Sequence, residues 1–128
     1  MSLTNFFEAA IINHFLRNNA QTPAATVYLA LFTAAPGEAG GGTEVSGGGY
    51  VRKPVTFTDP AGTGATANTG DVLWASATAD WGTVTHVAVM DALTGGNMLV
   101  SSALTTPRAV VAGESLKFAA GAVALTLD

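Results

Sequence analysis

The hydrophobic spacing of this chain changes once, and that change constrains the fold more than any other feature. Leu3, Phe6, Phe7, Ala10, Ile11, His14 and Phe15 recur at steps of three and four, which gathers side chains on one face of a helix. From Thr26 onward the step becomes two. The vocabulary turns to Val, Thr, Leu, Phe and Tyr, broken by clusters of Gly, Pro, Asn and Asp, as in antiparallel strands joined by turns. The chain therefore reads as one amphipathic helix, over about residues 3–17, followed by an all-β remainder. Asn5 is the expected N-cap with Glu8 reaching back to it, Arg17 suits the negative end of the helix dipole, and Asn18 and Asn19 end the helix.

Strands are expected over residues 26–34, 50–57, 71–76, 83–91, 97–104, 109–111, 115–119 and 122–127. The first is apolar on both faces, Val27, Leu29 and Leu31 on one and Tyr28, Ala30 and Phe32 on the other, as befits a central strand between two layers. The helix is expected to cover one of those faces, burying Phe6, Phe7, Ile11 and Phe15 against it, because such a stripe is unstable alone. Thr94, Gly95, Gly96 and Asn97 read as a hairpin turn and Ala112, Gly113 and Glu114 as a second, so that each joins antiparallel neighbours. Pro54 cannot donate to a ladder, which places its strand at an edge or a bulge.

Residues 35–49 carry seven glycines and one sizeable apolar side chain, Val45. Loops of this length are usually functional or disordered. The segment reads as an extended, adaptable arm that is mobile in the isolated chain, since ordering costs about 1–2 kcal/mol of backbone entropy per residue. Shortening residues 40–48 is then expected to leave the fold nearly intact, because loop closure depends weakly on length.

With no cysteine, disulfides, thiolate metal sites and cysteine nucleophiles are excluded. A net charge of -4 lacks the basic footprint of a nucleic-acid binder. Charged residues make up 11% of the chain, against roughly 25% in an ordinary soluble domain, so another protein is expected to cover part of the surface. The apolar run over residues 27–32 is far short of the roughly 20 residues that span a bilayer. The opening MSLTNFFEAA has no basic region and places Glu8 where a signal peptide is apolar, so synthesis and retention in a cytoplasm are expected.

Chemistry is hard to find. His14 falls on the helix stripe and His86 within a strand, neither at a metal-ligand spacing, so neither metal nor cofactor is expected. No serine sits in a G-x-S-x-G elbow, and Ser46 lies in the Gly-rich arm. Residues 62–67, GTGATA, match a G-x-G-x-x-A pattern but lead into a strand, which makes them a loop. The run Gly40, Gly41, Gly42 lacks the Lys-Ser/Thr ending of a phosphate loop. With no catalytic constellation, the chain is not expected to be an enzyme. Trp74, Trp81 and Tyr50 are the residues that could stack on a sugar, although burial in a core or subunit interface is the commoner fate of tryptophan.

The order of an N-terminal helix, TVYLALFT, APGEAGGGTEVSGGGYVRKPVTF, ADWGTVTHVAVMDALTGGNML and AGESLKFAAGAVALTLD resembles the small virion proteins of tailed bacteriophages known as phage tail fibre proteins. The likeness covers nearly the whole chain and is most specific over residues 41–50 (GGTEVSGGGY) and 81–86 (WGTVTH). It implies a non-enzymatic structural component of the virion, in a tail fibre, at a collar or baseplate, or on the capsid exterior as a decoration protein. Such a protein acts through contacts with other virion proteins and copies of itself. The alternative on the same scaffold is a carbohydrate- or receptor-binding module. The fold expected is a mainly β, antiparallel β-sandwich or jelly-roll-like single domain over residues 1–128 with one N-terminal helix. Neither coiled-coil heptads nor a repeated β motif appears, so a compact module is expected rather than a fibre shaft. Glu38, Glu44, Val45 and Tyr50, in and beside the arm, are the candidate assembly contacts.

Overall fold

The computed structural model describes residues 1–127; Asp128, the last residue of the expected domain, lies outside the described residues. The fold is mainly β and antiparallel with one N-terminal helix, as the change of period predicts. Its strands are β1 (Ser2–Leu3), β2 (Val27–Ala34), β3 (Thr43–Glu44), β4 (Lys53–Val55), β5 (Ala65–Ala67), β6 (Val72–Trp74), β7 (Gly82–Met90), β8 (Met98–Val110), β9 (Leu116–Phe118) and β10 (Ala124–Thr126). Six of them form one sheet in the order β1, β8, β7, β2, with β3 and β4 sharing the far edge of β2. Two short pairs, β5 with β10 and β6 with β9, stand apart from that sheet.

The two apolar faces of β2 have different partners. Leu29 and Leu31, both 0% exposed, enter a core with Val84 and Val87 of β7, Val72 and Trp74 of β6, Leu116 of β9, and Val45, Val55 and Val123. The β6/β9 pair thus forms a second layer over the main sheet. Burial of each leucine contributes about 1.5–3 kcal/mol. Ala30 and Phe32 point the other way and meet Ala88, Met90 and Met98 in a smaller cluster. Pro54 lies on the edge strand β4, opposite Tyr28, where a missing N–H is tolerated.

The helix departs from expectation in cap, length and packing. Thr4 rather than Asn5 is the N-cap: its Oγ1 accepts the Phe7 N–H at 3.3 Å. The same hydroxyl, 2% exposed, donates to the Met98 carbonyl at 2.6 Å, which fixes Thr4 to β8 and leaves the cap no other place. Helix α1 runs over Asn5–Ile11 and continues as a wider π turn over Ile12–Leu16, in which the Arg17 N–H donates to the Ile12 carbonyl at 3.2 Å. Phe7, Ala10 and Ile11 are half-buried, but Phe6 is 47% and Phe15 75% exposed. The expected burial of Phe6 and Phe15 against β2 is thus corrected. Anchored through Thr4, the helix meets the sheet along β8, near its margin, and cannot lie across β2.

Other differences have local causes. Segments 97–104 and 109–111 are one strand, β8, because the four residues after Ala103 bulge out opposite Thr85, between the pairs Val84 with Arg108 and His86 with Ala103. Pro107 in that stretch cannot continue a ladder. The loop between β7 and β8 is closed by Asp91, whose carboxylate accepts the Asn97 backbone N–H at 2.6 Å. Glu114 does not join ladder neighbours, since β9 pairs with β6 and not with β8. Ala65 to Ala67, read as loop, form β5. Strands β1, β3 and β5 have two or three residues, too few to show a period.

Candidate functional site

The two most specific sequence segments meet in space. After β3 the chain turns through Gly47, Gly48 and Gly49, with φ of 73°, 59° and 78°, a left-handed path that side chains disfavour. Gly48 has a second constraint: a Cβ there would lie 2.7 Å from Trp81 Nε1 and 2.9 Å from the Ala79 carbonyl oxygen. Its carbonyl accepts the Trp81 indole N–H at 2.9 Å and the Thr78 backbone N–H at 2.9 Å. The Tyr50 ring meets Trp81 edge to face at 5.6 Å, a favoured aromatic geometry.

From that contact a polar network reaches into the sheet edge. The Tyr50 hydroxyl accepts the Leu31 N–H at 3.0 Å and donates to Glu44 Oε2 at 2.7 Å. Arg52, 8% exposed, donates from Nε to Glu44 Oε2 and from Nη2 to Oε1, both at 2.8 Å. Its Nη1 donates to the Ala92 and Gly95 carbonyls at 2.7 and 2.8 Å. One guanidinium therefore ties the Gly-rich segment to the loop between β7 and β8, in the planar fork that arginine presents and lysine does not.

The charges follow from this geometry. Burial pushes the Glu44 carboxyl up, and the hydrogen bonds from Arg52 and Tyr50 outweigh it, leaving Glu44 below the usual carboxylate range. Burial and the neighbouring carboxylate drive the Tyr50 phenol far above its ordinary value. The hydrogen bond to Glu44 raises Arg52 against the effect of its burial.

Two results should follow. Arg52→Met leaves Glu44 with the Tyr50 hydroxyl alone and two carbonyls without their donor; breaking a buried pair costs about 3–5 kcal/mol, and the partial exposure of Glu44, 25%, places this one near about 3 kcal/mol. Arg52→Lys should recover less than half of that in urea unfolding. The second result concerns acid. The folded carboxyl titrates below the 4.5 of the unfolded chain, so on acidification the unfolded state takes up its proton first. The contribution of Glu44 is complete above that value and is lost as pH falls through the folded pKa. Wild type should lose urea resistance as pH falls below about 4.5, and Glu44→Gln should flatten that slope.

The four candidate contacts do not form one surface. Glu44 and Tyr50 are joined in the network just described. Val45, 5% exposed, is in this chain's own core, and its N–H donates to the Leu31 carbonyl at 2.9 Å. The anchor expected to await a neighbour is thus occupied internally, and the arm is held at Glu44, Val45, Gly48 and Tyr50. Glu38 stands apart and exposed near the helix start, where its carboxylate accepts from Ser2 Oγ at 3.1 Å and its carbonyl from the Asn5 N–H at 2.8 Å. Arg52 escaped the sequence reading, although it is one of five basic residues and follows Glu44 by eight positions. Trp74 and Trp81 are 1% and 7% exposed. With Tyr50 turned onto Trp81, the three rings make no outward stacking platform.

What the molecule does present is apolar. Ile12 (48% exposed) and Leu16 (78%) join Phe6 and Phe15 on the helix and its π turn. A half-open groove of about 490 Å³ runs beneath the helix, lined by Phe7, Ala10, Ile11, Phe15, Pro23 and Leu99 among others. Among the described residues, no group of histidine and carboxylate side chains could hold a metal ion, and no helix is long and apolar enough to cross a membrane. A family model described as podophage GP4 fiber I protein gp80 matches residues 2–126. No curated protein matches the chain.

Proposed function

Because the chain belongs to the podophage GP4 fiber I protein gp80 family, which makes it a structural component of a phage virion, we propose that it serves there as a non-enzymatic assembly subunit of the fibre. In this reading it works by contacts with other virion proteins and with copies of itself. The observation that carries the proposal is the contrast between the Trp and Tyr rings held within the domain and the apolar side chains exposed on the helix. Trp74, Trp81 and Tyr50, the residues a carbohydrate module would display, are engaged inside the domain, whereas Phe6, Ile12, Phe15 and Leu16 face outward on one short helical segment. Large exposed apolar patches on folded proteins mark interaction sites.

Within this reading, Glu44, Val45 and Tyr50 serve assembly indirectly, by holding residues 43–55 in one shape, and Glu38 remains as an exposed contact beside the helix. The test adds purified chain to particles assembled without it and measures occupancy by electron microscopy, alongside binding to a panel of host surface glycans. Saturable occupancy with no glycan binding is the expected result. Glycan binding with no occupancy would replace the assembly reading by the receptor-binding one.

A further inference from the structure

The main sheet is one strand short of closing on itself. Beyond β4 the chain continues alongside β5, where the Thr58 N–H donates to the Ala67 carbonyl and the Thr69 N–H to the Thr56 carbonyl, both at 2.9 Å. On its other side β5 pairs with β10. The strands thus run on from β2 through β4 and β5 to β10, which comes back beside β8 with no ladder between the two. Two cavities mark the gap. One of about 210 Å³ is lined by Met1, Ala103, Leu104, Phe118, Val123 and Ala124 among others. Past Met1 the gap continues as another of about 230 Å³, which Val100 of β8 and Leu125 of β10 line together.

Both walls of the gap carry open backbone. The Thr4 N–H donates to the Leu99 carbonyl at 2.9 Å, and Ser2 stands opposite Ser101, so Leu99 and Ser101 turn their backbone groups toward β1. Alternation turns those of Ala103 the same way, beyond the end of β1. Its carbonyl takes the neighbouring Ser102 hydroxyl at 3.3 Å, a long bond that a strand's N–H would replace. On β10, the Val123 carbonyl accepts the Asn68 N–H at 3.1 Å, and the Leu127 N–H donates to the Gly64 carbonyl at 2.6 Å. Val123, Leu125 and Leu127 therefore turn toward β5, while Ala124 and Thr126 turn away from it. Ala103, Ala124 and Thr126 are exposed, and Ala103 and Ala124 line the same cavity.

Resting on the reading that this chain works by assembly, we infer that an extended, uncharged segment of another virion protein adds as a strand between β8 and β10 and closes the sheet into a barrel. The chemistry of the walls selects this occupant. A strand offers N–H and C=O groups to both sides, as two facing ladders require, and closure removes both edges. Among the described residues no charged side chain lines the larger opening beside Ala103, so a charge on the segment would be buried there unpaired. A folded second copy does not fit. Each of its ten strands already has a partner, and a gap with a wall on either side admits a lone strand rather than the edge of a sheet.

Hydrogen exchange tests the inference, on the full chain free in solution and bound to particles assembled without it. In the free chain the Ala103 and Ala124 amides should exchange quickly, and those of Ser102 and Leu125, which face β7 and β5, slowly. On the particle the two fast amides should slow by about a hundredfold or more. Ala103→Pro removes a donor that β7 does not use, a change that a strand edge tolerates. It should keep the circular dichroism of wild type and lower particle occupancy about tenfold or more. Ala124→Pro should act alike from the opposite wall. Slow exchange of Ala103 and Ala124 in the dilute free chain overturns the inference, as do folded proline variants that occupy particles as wild type does. Bound chain in which both amides still exchange quickly also overturns it, and leaves assembly through another surface standing. Slowing that grows with the concentration of the chain alone puts a second copy in the gap, against the other virion protein. Occupancy absent even for wild type removes the assembly reading as well.

Discussion

Excision of residues 40–48 should abolish cooperative folding, the opposite of what the glycine content of that segment suggests. The deletion removes Val45 from the core, worth about 1.5–3 kcal/mol. It strips Arg52 of its carboxylate partner, at about 3–5 kcal/mol for a broken buried pair. It takes the Gly48 carbonyl from the Trp81 indole, a further 1–3 kcal/mol or so for a buried donor left unsatisfied. These losses are comparable with the whole stability of a small domain, about 5–15 kcal/mol. The expected observation is a spectrum without strand signal and no urea transition. A deletion that still unfolds cooperatively near the wild-type midpoint would show that the segment adds nothing to the fold.

Trp74→Ala should be the most damaging single substitution, at about 3–5 kcal/mol. The ring is 1% exposed, stands edge to face with Phe118 at 6.0 Å, and donates its indole N–H to the Val51 carbonyl at 2.7 Å. It therefore couples β6 to β9 on one side and to the backbone leading into β4 on the other. Trp74→Phe separates the two roles, since it keeps an aromatic ring and deletes the hydrogen bond. Its cost should fall in the range of about 1–3 kcal/mol, measured by urea unfolding at constant slope. A Trp74→Ala cost under about 1 kcal/mol would contradict the burial described above.

How far the sequence carried depended on whether a residue's partners were local. Strands β2 and β7 were legible because runs rich in Val, Leu, Phe and Thr persist over eight and nine residues, and the two apolar faces of β2 foretold its place between two clusters. The helix was legible as a helix for the same reason. Its burial was misjudged, because the position of a helix on a sheet is set by contacts such as Thr4 with Met98, which are 94 residues apart. The partners of the Gly-rich segment were hidden for a related reason. Entropy argues for mobility when its glycines are counted alone, yet Val45, Glu44 and Gly48 each find a partner elsewhere in the chain, and no period announces such pairings. Of the candidate site, GGTEVSGGGY and WGTVTH stood out as words; that Tyr50 and Gly48 of one touch Trp81 of the other is a tertiary fact.

The edge of β2 is finished in an unusual way. Between its short partners β3 and β4, the Leu31 carbonyl is taken by the Val45 N–H and the Leu31 N–H by the Tyr50 hydroxyl, so a phenol occupies a place where a neighbouring strand's backbone would ordinarily stand. An open edge of valine, leucine and phenylalanine is a template for cross-β growth. At high concentration an exposed ladder of this kind invites runaway stacking. By plugging this ladder with its own side chain and backbone, the chain closes that route to polymerisation through the sheet and leaves association to its other surfaces.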